Sequence, residues 1–139
     1  MNVVLDTNIV IGAAITPKGP PGRIISAWRT SAFVWIISPP LIEELERAFA
    51  YPRVRRYLAW DSDEASAFLH LLRRTAVLVE PDVRLDVVTS DPDDNRVLEA
   101  AVGGQADYLV TNGNALLDVK SYQGIEIVSA VRFATILAR

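Results

Sequence analysis

The chain has no cysteine in its 139 residues. That excludes a disulfide framework and a thiolate metal site, and it fits a reducing, cytoplasmic setting. Long hydrophobic runs are also missing: Asp6, Asn8 and Pro39 break the apolar stretches well short of the roughly 20 residues a membrane-spanning helix needs. No basic region followed by an apolar core opens the chain, so a signal peptide is not expected. Nor is there an excess of positive charge, the formal net charge being −3. A protein that coats nucleic acid with its whole surface is usually basic. An enzyme whose surplus acids gather in one metal-binding pocket remains compatible with that balance. There is no internal repeat, low-complexity segment or linker.

What is present is 50% hydrophobic residues, enough for one globular domain over residues 1–139 with a sizeable core. Val3-Val4-Leu5 reads as a buried strand, followed by the polar trio Asp6-Thr7-Asn8. Gly12 to Gly22 reads as a loop, rich in proline and glycine, with a helix around Ile24, Ala27 and Trp28 behind it. Phe33-Val34-Trp35-Ile36-Ile37 is a second strand. Ser38-Pro39-Pro40 starts a helix with Leu41, Leu45, Ala48 and Phe49 along one stripe. Arg53 to Trp60 reads as a short basic helix or turn. Asp61-Ser62 caps a helix with Ala65, Phe68, Leu69 and Leu72 inward, and strands follow at 76–79, 108–110 and 125–128. A helix from Pro92 to about Val102 ends at Gly103-Gly104, and Ser129 caps the last one. Strands alternating with helices predict an α/β fold: a three-layer α/β/α sandwich on a mostly parallel, about five-stranded sheet.

Three acids fall where a strand gives way to a helix. Asp6 ends the first strand, Glu44 lies in the helix after the second, and Asp94 is in the first turn of the helix leading into the fourth. In a parallel sheet these points can converge on one edge, where open α/β sheets place their ligands. At about 100° per residue, Glu43 faces away from the apolar stripe and Glu44 flanks it, so Glu44 is the better pocket candidate. Asp6 alone could be a helix cap. Asp91, with Pro92 behind it, is explained by capping, but capping does not require Asp91, Asp93 and Asp94 together. Clustered carboxylates repel one another, and an all-oxygen set suits a hard cation such as Mg²⁺ or Mn²⁺.

The pattern resembles the PIN-domain nucleases, in particular the branch of toxins from toxin–antitoxin pairs (VapC-like). The resemblance rests on Val3-Val4-Leu5-Asp6-Thr7-Asn8, on Ser38-Pro39-Pro40-Leu41-Ile42-Glu43-Glu44-Leu45, on Asp91-Pro92-Asp93-Asp94-Asn95-Arg96-Val97-Leu98-Glu99-Ala100-Ala101, and on Ala106-Asp107-Tyr108-Leu109-Val110-Thr111. It continues through Leu116-Leu117, Tyr122 and Gly124-Ile125 to the Ile127-Val128 strand. It implies metal-dependent cleavage of RNA phosphodiester bonds, with Asp6, Glu44 and Asp94 as acidic ligands of Mg²⁺ or Mn²⁺. Thr7, Asn8, Asp91 and Thr111 would support those ligands or touch phosphate. It further implies a homodimer held inactive by an antitoxin protein. The chain departs from the family at the fourth acid. In straight register that position is Gly113, and a slip would offer Asn112 or Asn114 as a neutral ligand. The pocket then carries one negative charge fewer, and weaker metal binding is expected. A second reading follows: a PIN-like protein with a degenerate site at Gly113 and Ala115 that binds nucleic acid or a protein without cleaving.

Arg47, Arg53, Arg55 and Arg56, with Tyr57 and Trp60 nearby, read equally well as an RNA-contacting patch or as a solvated helix face with core aromatics. His70 lies opposite its helix's stripe and takes no role. A phosphatase using Asp6 as nucleophile fits poorly. Haloacid-dehalogenase-type enzymes want a second Asp two positions on, where this chain has Asn8.

Overall fold

A computed structural model describes residues 1–139. The strands are β1 (Asn2–Leu5), β2 (Val34–Ile37), β3 (Val77–Leu78), β4 (Tyr108–Val110), β5 (Ser121–Tyr122) and β6 (Ile125–Val128). The helices are α1 (Thr7–Ile15), α2 (Pro20–Arg29), α3 (Pro39–Ala50), α4 (Pro52–Arg55), α5 (Ser62–Thr75), α6 (Pro92–Gly103), α7 (Asn114–Val119) and α8 (Ala130–Leu137). The six strands form one sheet in the order β3-β2-β1-β4-β6-β5. All neighbours are parallel except β5 and β6. The α/β class expected from the sequence is the observed one, with one strand more: β5 is a two-residue edge strand that closes on β6 around Gly124, whose φ is +82°.

From β1 the chain moves outward through β2 to β3. It then crosses back over the sheet and continues through β4 to β6 on the other side. Right-handed crossovers in opposite directions place helices on opposite faces, which makes the three layers. The reversal falls between β1 and β4. Leu5 pairs with Val110 there, and the Asp6 amide donates to the Val110 carbonyl at 2.9 Å. A crevice outside the carboxyl ends of two such strands is where this kind of sheet binds ligands.

A cluster of 34 buried hydrophobic residues fills the layers. Trp28 and Trp35 belong to it, edge-to-face at 5.0 Å, and Phe68 joins them.

The stretch Gly12–Gly22 is a correction. Gly12 lies inside α1, and α2 begins at Pro20 with Gly22 in its first turn, leaving only residues 16–19 as loop. Proline is suited to a first helical turn because the N–H it lacks has no partner there. Helix α1 was hard to read because it has no polar face: α2 and α3 both cover it, so its apolar residues follow no stripe. Gly22 is required for contact rather than flexibility, since a Cβ there would stand 1.8 Å from the Pro17 carbonyl oxygen. Ser38 is the N-cap residue of α3, yet its hydroxyl caps nothing and is buried without a partner. Pro39 and Pro40 occupy the first two helical positions, so the N–H groups a cap usually binds are reduced. The basic stretch after α3 is a single turn, α4, and α7 is a short helix the sequence did not announce.

Candidate metal centre

β1 delivers Asp6 to the crevice, and Asp6 also caps α1 by accepting from the Thr7 amide at 2.8 Å through Oδ1. The two readings of this residue therefore meet in one side chain. Its other oxygen, Oδ2, accepts from the Thr111 hydroxyl at 2.8 Å and from Asn8 Nδ2 at 3.3 Å. Thr111 Oγ1 in turn accepts from the Gly113 amide at 3.0 Å, which turns the hydroxyl's single proton towards Asp6. Asn8 is oriented by the same logic, because its Oδ1 accepts from the Asn112 amide at 3.3 Å. Asp6 and Thr111 are buried. A short relay from the β4 end thus fixes a carboxylate that is only 7% exposed.

Glu44 reaches the same region from the second turn of α3. It is half-buried while Glu43 is exposed. Asp94 comes from the first turn of α6, which Asp91 caps by accepting from the Asp93 amide at 3.1 Å. Asp6, Glu44 and Asp94 are the three acids whose protonation is shifted, and all three are shifted upward. Burial is the main cause for Asp6, opposed by the Thr111 and Thr7 hydrogen bonds and assisted by the Asp91 charge. Burial also leads for Glu44, then the Asp6 charge, with Thr7 opposing, Asp93 assisting and Arg47 opposing. Asp94 is pushed up to about 6 by burial, then by the charges of Asp6, Asp91 and Asp93. Mutual repulsion across three separate elements means that α3, α6 and the β1 end share one electrostatic site.

The donor set suits a hard cation in kind, being all oxygen and short of positive charge. It is not a closed cage: no three acidic or imidazole side chains are gathered at metal-binding spacing. Mg²⁺ keeps several of its waters and is held through one or two carboxylates, so an open acidic crevice matches that ion better than a preformed protein cage would.

The expected supporting residues divide. Thr7, Asn8 and Thr111 contact Asp6 or neighbour Glu44. Asp91 caps α6 and its charge reaches Asp6. The Asn112 side chain turns the other way and accepts from the Ala130 amide at the start of α8, at 3.1 Å. Asn114 is exposed at the start of α7. Gly113 stands at the position of the missing acid, and a Cβ there would meet only Thr111 Oγ1 at 3.4 Å and Asn8 Nδ2 at 3.7 Å. Sequence reasoning passed over Asp93, whose charge bears on both Glu44 and Asp94. The signal was its place in the run of aspartates.

The sequence profile of the family described as "PIN domain" matches residues 2–115, the portion that carries all three acids and Thr111. The chain belongs to the PIN domain family. The PIN domain is a nuclease fold, generally one that works with divalent metal. Among relatives, Uncharacterized protein MJ1680 of Methanocaldococcus jannaschii is 28% identical over 120 residues, spanning 86% of this chain and 76% of that protein. The crystal structure of PAE2754 from Pyrobaculum aerophilum superposes with a TM-score of 0.66 over 99% of this chain and 90% of that one. Their identity is 17%, so that likeness concerns the fold alone.

Proposed function

We propose that this PIN domain is a Mg²⁺- or Mn²⁺-dependent endoribonuclease with Asp6, Glu44 and Asp94 as its metal ligands. The observation that supports it most is the charge coupling of Asp6, buried where the sheet's winding reverses, to Glu44 on α3 and Asp94 on α6. When bound, such a cation polarises a phosphoryl oxygen and acidifies a water for attack. The chain's own residues have simpler tasks. Thr111, Asn8 and the Thr7 amide hold Asp6 in one orientation, and the Thr111 and Thr7 hydrogen bonds oppose the effect of burial on its carboxylate. Burial and the Asp6 charge raise the proton affinity of Glu44 and Asp94, and a cation held by them would offset that repulsion. Asn8 is exposed and Thr7 is half-buried beside Glu44, so both stand at the rim, where a phosphate oxygen would approach.

The test is cleavage of a labelled RNA in Mg²⁺ or Mn²⁺ by the wild type and by Asp6→Asn. Wild-type cleavage that falls at least about 100-fold in the variant is expected, in line with losses on disturbing a metal site. Equal cleavage by both proteins would sink the assignment. We further infer a toxin role, with an antitoxin partner and a homodimer, from the family branch the motifs resemble. Light scattering of the purified chain reads the dimer, and rescue of growth by co-expressing the neighbouring small gene reads the antitoxin.

A second reading keeps the nucleic-acid contact without cleavage. Gly113 in place of an acid and the Asn112 side chain committed to α8 support it. RNA that is bound yet left intact by the wild type in both metals would favour it.

A further inference from the structure

The segment from Arg47 to Tyr57 carries four arginines and no acid in a chain whose net charge is −3. The structure separates its aromatics. Trp60 turns inward, stacked on Phe49 at 6.1 Å and covered by Arg29 at 5.7 Å from its ring centre. Tyr51 and Tyr57 turn outward, 53% and 62% exposed. Arg47, Arg53, Arg55 and Arg56 are all exposed. None is in an ion pair, since the chain's two ion pairs use Arg73 and Arg96. Of the nearby acids, Glu46 is held by Arg73 at 2.6 Å and Asp61 accepts from the Glu64 amide in the capping box of α5, while Glu43 and Glu44 lie one turn before Arg47 on α3, leaving Arg53, Arg55 and Arg56 as the unpaired group. A solvated helix face usually mixes both signs, and an unneutralised basic turn bracketed by two exposed phenols needs another explanation.

The turn is also held by hydrogen bonds and well placed. Val54 and Arg55 donate to the Tyr51 carbonyl, Tyr57 donates to that of Val54, and the Ala59 amide anchors the turn to the Ala14 carbonyl at the end of α1, at 2.8 Å. Helix α3 links it to the acids. From Glu44 to Tyr51 is seven residues, about 10 Å along a helix axis, or about three nucleotides at 3.4 Å per stacked nucleotide. Arg47 lies between them, close enough for its charge to act on Glu44.

We propose that α4 and its flanks form a platform for single-stranded RNA. Arg47, Arg53, Arg55 and Arg56 hold phosphates beyond the scissile bond, and unpaired bases stack on Tyr51 and Tyr57. Stacking on an exposed ring requires a splayed base, so the platform selects single strands over duplex. This rests on the nuclease reading for the identity of the substrate, but its test does not depend on cleavage.

The probe is a fluorescein-labelled 12-nucleotide pyrimidine RNA, its binding to the full chain followed by anisotropy in EDTA so that the strand stays intact. The same strand in a duplex is the comparison. Replacing Arg53, Arg55 and Arg56 by Gln is expected to weaken binding at least about tenfold and to flatten the log–log salt dependence by about 2, at roughly 0.7 per phosphate contact. Tyr51→Ala with Tyr57→Ala is expected to cost about tenfold or more for the single strand and little for the duplex. The Arg→Lys triple and the Tyr→Phe pair should bind close to wild type, and thermal melting confirms that the exposed substitutions leave the fold intact. An unchanged salt dependence in the Gln triple, or equal binding of duplex and single strand that the Tyr→Ala pair does not alter, overturns the proposal. If the wild type binds in this manner but never cleaves, the platform stands and the nuclease reading falls. If it cleaves and the Gln triple keeps its KM, the platform falls and the nuclease reading stands.

Discussion

Asp6 caps a helix, accepts from Thr111 and Asn8, and lends its charge to the shifts of Glu44 and Asp94. One carboxylate can do all this because it ends a strand at the reversal of the sheet, where backbone donors and other elements' side chains meet. Its neighbour Gly113 gives the sharpest test at this scale. Gly113 has φ −78° and ψ 129°, a conformation any residue adopts, and its Cβ direction is open apart from Thr111 and Asn8. Gly113→Asp should therefore fold normally and add a fourth carboxylate. Mn²⁺ affinity measured by calorimetry at pH 7 should rise about tenfold, since affinity for hard cations follows the count of charged ligands. Unchanged affinity in a well-folded variant would mean that position 113 faces away from the site. The places of Asp6 and Asp94 at a strand end and a helix start were legible in the sequence because apolar runs and caps mark those junctions. The side-chain direction of Asn112 was not legible, because it depends on the start of α8, 18 residues away.

Helix α6 holds more of the site than its one acid. Asn95 is buried; its Oδ1 accepts from the amides of Val87 and Val88, and its Nδ2 donates to the Val88 carbonyl at 2.7 Å. One turn on, buried Glu99 accepts from the Leu85 amide at 2.7 Å and from Arg96 Nη2 at 2.8 Å, while Arg96 Nε lies 2.8 Å from its other oxygen, poorly aligned as a hydrogen bond. These side chains replace a missing strand partner for residues 85–88, which have no regular structure of their own, and so they fix where α6 presents Asp94. Asn95→Ala would strand two amides and a carbonyl. Loss of about 2–3 kcal/mol is expected in urea unfolding, from buried groups left without partners, with faster proteolysis between residues 80 and 90. A loss under about 0.5 kcal/mol would mean the segment is held by its apolar contacts instead. In the sequence, Asn95 and Glu99 looked like part of an acidic family motif. Their structural task was hidden because their partners are backbone groups, which carry no residue signature.

Over the whole molecule, the charge is divided. Acids gather at the crevice, arginines gather at α4, and the net value of −3 conceals both. The crowding has a cost that pH should reveal. Asp94 is raised to about 6 in the folded chain, against about 3.9 when unfolded. Between those values the native state holds a proton that the unfolded chain has released, so its contribution to stability falls as pH rises through the window. Asp94 is partly exposed, and solvent screening brings the effect down to about 1 kcal/mol or less. Melting curves without divalent metal should show the wild type losing up to a few degrees relative to Asp94→Asn between pH 4 and pH 7, in line with about 2–4 °C per kcal/mol. Adding Mn²⁺ should raise the wild-type melting temperature more at pH 7 than at pH 5, because the ion must displace protons. A metal shift that is equal at both pH values, or equal in the two proteins, would remove Asp94 from the site.

The sequence by itself determined the alternation of strands and helices, the acids at their junctions and the family. Apolar runs, caps and breakers act over a few residues, so they can be read locally. Only the tertiary structure decided that α1 is a helix, since it is covered on more than one side and shows no polar stripe. It likewise decided that Trp60 is core while Tyr51 and Tyr57 face water, and that Asn112 serves α8 while Thr111 serves Asp6. Each of those outcomes is set by which distant surface a side chain meets, and that is fixed only when the sheet's winding reverses between β1 and β4.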